Sequence, residues 1–160
     1  MMLLKISKDK GDSESCIRYA AREYMAFMGL ETEEPVEIRR HKGKPVLENL
    51  PFFVSFSHTA GMKACAVSDK EVGIDVERMT GGKDFAALSK RFFAGGEITG
   101  KRREFYKLWT AKEALKKLTD IPLIDALRLS DYSKVRHFDI IEGISLSVAG
   151  EGKFFIVLFF

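Results

Sequence analysis

Hydrophobic and polar positions repeat with two different periods along this chain, and the changes of period mark its elements. Between Asp12 and Gly29, Ile17, Ala20, Ala21, Tyr24 and Met28 recur at helical spacing. This predicts an amphipathic helix capped by Asp12 or Ser13 and ended by Gly29. Val36-Glu37-Ile38-Arg39 alternates like a short strand, and a basic turn, Arg40 to Pro45, follows it. Three strand-like segments come next: Phe52–Phe56, Met62–Val67 and Val72–Glu77. Their separators, Thr59-Ala60-Gly61 and Ser68-Asp69-Lys70, are short enough for antiparallel neighbours. Gly81-Gly82 interrupts the chain near its middle. Helices are then expected from about Asp84 to Phe93, stopped at Gly95-Gly96, and from about Lys101 to Leu118. After a turn at Pro122, the tail reads as strands at Leu127–Ser130, Ile144–Val148 and Phe154–Leu158.

A helix followed by antiparallel strands thus occurs twice, which predicts an α+β fold of two similar halves, each a helix packed on a small antiparallel sheet. The expected division is residues 1–80 and 81–160, forming one closely packed unit. No internal sequence repeat accompanies it. A chain of 160 residues with 46% hydrophobic and 31% charged residues has enough apolar material for its own core. The net charge of +3 suits an anionic small ligand or an acidic protein partner and does not require nucleic acid. Cys16 and Cys65 lack partners at metal-ligand spacing, so both are expected as buried thiols. The opening Met1-Met2-Leu3-Leu4-Lys5 is too short an apolar run for a signal peptide, and no run approaches a membrane span, so the cytoplasm is expected.

The chemistry concentrates in two segments. In Val72-Gly73-Ile74-Asp75-Val76-Glu77, Asp75 and Glu77 lie two apart and project from one face of a strand. Such a pair is either a solvated strand edge or the seat of a cation. Hard oxygens suit Mg²⁺, which takes one or two carboxylates together with waters and phosphate oxygens. In the helix, Leu108, Ala111, Ala114, Leu115 and Leu118 form an apolar arc, and Trp109, Lys112, Glu113, Lys116 and Lys117 form the other. Glu113 and Lys117 are neighbours at i, i+4, which a solvated face would also explain. Trp109 needs cover on that polar arc. Packing against the first half would cover it and carry Glu113 toward Asp75 and Glu77.

Gly73-Ile74-Asp75-Val76-Glu77 followed by Trp109-Thr110-Ala111-Lys112-Glu113-Ala114-Leu115-Lys116-Lys117 resembles the 4′-phosphopantetheinyl transferases of the surfactin-synthetase-activating type. Ala87 to Phe93, Gly43-Lys44-Pro45 and Phe56-Ser57-His58-Thr59 resemble further family segments, in the family's order. The likeness runs from about residue 13 to about 131. It implies transfer of the phosphopantetheine arm of coenzyme A to a serine of an apo acyl or peptidyl carrier protein, with release of 3′,5′-ADP. By the same resemblance, Asp75, Glu77 and Glu113 would hold Mg²⁺, with Mn²⁺ as a substitute. Lys117, and with it Lys112, would neutralise charge on the leaving group, and Glu113 is the candidate base.

At the nucleotide end, the resemblance gives Lys44 and Pro45 to the adenine and 3′-phosphate region, and Ser57 and His58 to the 3′-phosphate. Longer family members carry further N-terminal basic residues. Lys5, Lys8, Lys10, Arg18 and Arg22 are the candidates to take their place. A carrier is expected to dock near Arg78, Met79 and Lys83, on a monomeric enzyme. Two rival readings remain open at this stage. One is a weakly active relative that binds coenzyme A or a carrier without turnover. The other is a small RNA-binding module, which the Phe residues do not favour because they sit in core-type alternation.

Overall fold

The computed structural model describes residues 1–8, 11–30 and 33–159. Lys10, one of the candidate cations, lies outside them. Two sheets pack face to face, and each carries a helix on its outer side. The first sheet has the order β4-β5-β1-β9, built from β1 (Met2–Lys8), β4 (Phe53–Thr59), β5 (Met62–Ser68) and β9 (Phe154–Phe159). The second has the order β6-β8-β7, from β6 (Val72–Arg78), β7 (Val135–Phe138) and β8 (Ile144–Gly150). A small hairpin, β2 (Ile38–His41) with β3 (Lys44–Leu47), stands apart. Pairing is antiparallel throughout, except that β1 and β9 run parallel. The α+β class with helices on small antiparallel sheets is therefore observed.

Period two explains the layers. Met2, Leu4 and Ile6 of β1 and Met62, Ala64 and Ala66 of β5 meet Val72, Ile74 and Val76 of β6 and Ile144, Leu146 and Val148 of β8 in the central core. The intervening residues Leu3, Cys65 and Val67 face the helix α1 (Ser13–Phe27), which buries Ile17, Ala20, Ala21 and Tyr24 upon them. Asp12 caps α1, its carboxylate accepting from the Ser15 N–H at 2.8 Å, and Met28, expected on the apolar stripe, is exposed. Cys16 and Cys65 are free and buried.

Several expectations are corrected. β5 and β6 are not ladder neighbours, because β4 and β1 already occupy both edges of β5, so Ser68-Asp69-Lys70 carries the chain to the other sheet. The first residues, for which no element was expected, form β1, which pairs with β5 and β9 and buries Lys5 as well as Leu3. Leu127–Ser130 is no strand: it follows the short α4 (Leu123–Ala126), and Leu127 fills an aromatic cluster. The helices α2 (Phe85–Phe92) and α3 (Arg102–Thr119) agree with the reading. Trp109, however, packs against Phe92, Phe93 and Phe105 of its own half, and not against the first half. Strands also cross the Gly81-Gly82 break, with β6 joining β8 and β9 joining β1.

Helix and strand come into backbone contact at Gly73. A Cβ there would lie 2.0 Å from the Ala114 carbonyl oxygen and 2.7 Å from the Leu118 nitrogen. Only a residue without a side chain lets the backbone of α3 rest on β6. On β8, Ala149 packs under Ala114, Leu115 and Leu118, and the Thr110 hydroxyl bonds those of Ser147 at 2.8 Å and Ser145 at 3.2 Å. These contacts fix the rotation of α3 about its own axis. We expect Gly73→Ala to lower the free energy of unfolding by about 3 kcal/mol, since a rigid backbone must give way. A reduced urea midpoint with an unchanged slope is the measurement.

Candidate active site

The backbone contact at Gly73 places the side chains one turn along α3 above β6. Lys117 donates to the Ile74 carbonyl at 2.9 Å and to Asp75 Oδ1 at 2.8 Å. Asp75 is buried, while Glu77 and Glu113 are half-buried nearby. Burial first, then the Asp75 charge, raises the carboxyl pKa of both Glu77 and Glu113. The acids thus share one electrostatic neighbourhood. They do not close into a cage, and among the described residues no three His, Cys, Asp or Glu side chains do so.

Whether the residues suit Mg²⁺ rests on Asp75. Its Oδ2 is buried with no hydrogen-bond partner among the described residues. An ionised oxygen left unpaired in a dry site is costly, and a hard cation would relieve it. Glu77 and Glu113, repelled by the same charge, are the other available oxygens. A partial site of this kind fits an ion that completes its shell with waters and phosphate oxygens.

A row of hydroxyls orients these acids. Ser55, Ser57 and Thr59 of β4 face the edge of β6 at period two. Their oxygens accept from the N–H groups of Ile74 at 3.1 Å, Val76 at 3.3 Å and Arg78 at 3.1 Å. Ser57 also donates to Asp75 Oδ1 at 2.8 Å, and Thr59 to Glu77 Oε2 at 3.4 Å. The sequence reading missed Ser55 and Thr59, although hydroxyls at every second position of β4 were the visible signal.

Two clefts flank the acids. A basic one of about 290 Å³ is lined by Arg40, Lys42, Lys44, Pro45, Lys116 and Lys117. The other, about 220 Å³, is lined by Glu77 with Lys83, Leu88, Phe92, Tyr106 and Trp109. Lys44, Pro45 and Lys117 are therefore brought together, with Arg40 and Lys42 added by the hairpin. His58 is exposed and outside that lining, stacked at 6.0 Å on Phe56, which does reach the cleft. Ser57 is buried and committed to β6.

Lys112 is not near the acids. It is fully buried, paired with Glu97 at 2.7 Å, bonded to the Leu129 carbonyl and set against the rings of Phe93 and Tyr132. Burial lowers its pKa against the pull of Glu97. Of the N-terminal candidates, Lys5 pairs with Glu23 and stacks on Tyr19, Arg18 pairs with Glu14, and Lys8 and Arg22 are exposed. No described helix is long and apolar enough to cross a membrane.

The fold and the site together define an α+β protein whose acidic seam, carrying one lysine, lies between a basic cleft and an aromatic one. The profile of the 4′-phosphopantetheinyl transferase superfamily matches residues 71–151, and the chain belongs to that superfamily. That span holds Asp75, Glu77, Glu113 and Lys117. The chain is 34% identical over 115 residues to the 4′-phosphopantetheinyl transferase psf-1 of Bacillus pumilus, covering 66% of this chain and 47% of the relative. It is 29% identical over 106 residues to HetI of Nostoc, another 4′-phosphopantetheinyl transferase, covering 58% and 45%. A Bacillus subtilis 4′-phosphopantetheinyl transferase is 35% identical over 81 residues, covering 45% and 35%. The chain spans about half the length of the first two relatives and about a third of the last.

Two outcomes test this geometry. Glu77 and Glu113 bind protons more tightly folded than unfolded. Stability should therefore fall as pH rises from near the ordinary value of 4.5 through their raised values. Glu113→Gln should flatten that decline and raise the melting temperature at neutral pH, as thermal unfolding across pH would show. Lys112→Ala should cost about 3–5 kcal/mol, because Glu97 is left without its charge partner; urea unfolding measures it.

Proposed function

We propose that this protein transfers the 4′-phosphopantetheine group of coenzyme A to a serine of an apo acyl or peptidyl carrier protein. The observation that carries the reading is the junction itself, where β6 supplies Asp75 and Glu77 and α3 supplies Glu113 and Lys117. The basic cleft takes the nucleotide, with Lys44 and Pro45 beside the adenine and Arg40, Lys42 and Lys116 as further cations. Family membership supports this assignment, and so does the excess of cations in that cleft. His58 meets the 3′-phosphate from beside Phe56. The aromatic cleft, with Lys83 at its rim, receives the approach of the carrier serine.

In the reaction, the serine oxygen bonds to the phosphorus bearing the pantetheine arm. The bond from that phosphorus to the bridging oxygen breaks, and 3′,5′-ADP leaves with the electron pair. Glu113 accepts the serine proton. Lys117, already at 2.8 Å from Asp75, is the cation that meets charge growing on the leaving phosphate. Mg²⁺, or Mn²⁺ in its place, held by Asp75, Glu77 and Glu113, would neutralise pyrophosphate oxygens. Positioning and electrostatic stabilisation supply most of the rate in such transfers. Lys112 serves this chemistry by anchoring α3, at a distance from the phosphates. We place the enzyme in the cytoplasm as a monomer.

Incubation with coenzyme A, Mg²⁺ and a panel of apo carrier proteins should increase a carrier's intact mass by one phosphopantetheine. Asp75→Asn and Glu113→Gln should each reduce transfer roughly 10²-fold or more while leaving the fold intact. Unmodified carriers across the panel, or ordinary rates in both variants, would overturn the reading.

A further inference from the structure

Asp75 carries two strong donors on one oxygen and none on the other. Ser57 and Lys117 both reach Oδ1 at 2.8 Å, while Oδ2 is buried and unpartnered among the described residues. A free carboxylate would rotate to share these donors between its oxygens. What holds it is that Ser57 is itself held, its oxygen accepting from the Val76 N–H at 3.3 Å. The hydroxyl hydrogen is then directed at Asp75. Thr59 repeats the pattern one step along, accepting from Arg78 and donating to Glu77 Oε2. Ser55 completes the ladder with the Ile74 N–H and, among the described residues, bonds no carboxylate. One row of side chains therefore replaces the missing backbone ladder between β4 and β6, and two of its members also set the rotation of an acid.

We propose that Ser57 and Thr59 are positioning residues that leave Asp75 Oδ2 and Glu77 Oε1, the oxygens they do not bond, for a divalent cation. This rests on the transferase reading for the identity of the site, but it is a claim about cation affinity and stands or falls on that. Ser57 was expected to meet the 3′-phosphate. Its burial and its two bonds to β6 assign it to the acids. Outer partners of metal-ligating carboxylates commonly change metal affinity 10- to 100-fold when removed. Ser55 provides the internal control, since its loss frees one N–H of the same seam without touching an acid.

The test is Mn²⁺ binding to the whole chain without coenzyme A, followed by electron paramagnetic resonance of the free ion, with melting temperature measured in parallel. Ser57→Ala should weaken Mn²⁺ binding about 10-fold or more. Thr59→Val should weaken it in the same direction, and Thr59→Ser should restore it. Ser55→Ala should lower the melting temperature much as Ser57→Ala does while keeping wild-type Mn²⁺ affinity. Wild-type affinity in folded Ser57→Ala overturns the proposal. So does an equal loss in Ser55→Ala, which would mean general loosening, and so does a wild-type protein that binds no Mn²⁺. If Ser57→Ala does not fold, Thr59→Val decides, and unchanged affinity there overturns the proposal. Carrier modification is scored separately. Weakened Mn²⁺ binding in these variants, with no carrier modified by the wild type, would leave this inference standing and remove the transferase.

Discussion

The approach of α3 to β6 across Gly73 is the constraint from which the rest of this molecule follows. A helix lying on a strand normally stands off by the thickness of side chains on both elements. Here one of those layers is missing, and the Ala114 carbonyl would sit 2.0 Å from a Cβ at Gly73. The shortened gap lets Lys117 reach both the Ile74 carbonyl and Asp75, and brings Glu113 within the field of Asp75. The small residues Ala114, Ala149 and Thr110 continue the same close surface along β8.

That proximity has an electrostatic cost. Three carboxylates face Lys117 in a partly dry seam, and burial together with the Asp75 charge raises the pKa of Glu77 and Glu113. Perturbed groups of this kind gather where chemistry needs them, although structural ion pairs perturb pKa values too. Both cases occur on α3. Lys112 and Glu97 form a buried pair sealed by Phe93 and Tyr132. Lys117 is partly exposed, lines a cleft and meets an acid that has an oxygen to spare. Two lysines five residues apart on one helix therefore do opposite things.

The seam between the sheets solves a different problem. Edge strands present unpaired N–H groups, and β4 and β6 approach without a backbone ladder. Ser55, Ser57 and Thr59 satisfy three of those donors with oxygens that can also donate. Hydroxyls suit this position because each both accepts and donates. The same bonds that close the sandwich at this edge therefore orient Asp75 and Glu77.

The sequence by itself determined the elements whose cause is local. The stripe of Ile17, Ala20, Ala21 and Tyr24, the cap at Asp12, the glycine stops and the short apolar runs of β5 and β6 are written in neighbouring residues, so α1, α2, α3 and these strands were legible. So was the grouping of Asp75, Glu77, Glu113 and Lys117, through motif order. The tertiary structure decided what depends on partners distant in the chain. β1 is a strand because β5 and β9 pair with it along its length, which no neighbouring residue records, and β6 left β5 because both edges of β5 were taken. A helical wheel put Lys112 and Lys117 on one polar arc. Only packing showed that one is enclosed against Glu97 while the other reaches Asp75, because a side chain's role depends on which surface closes over it.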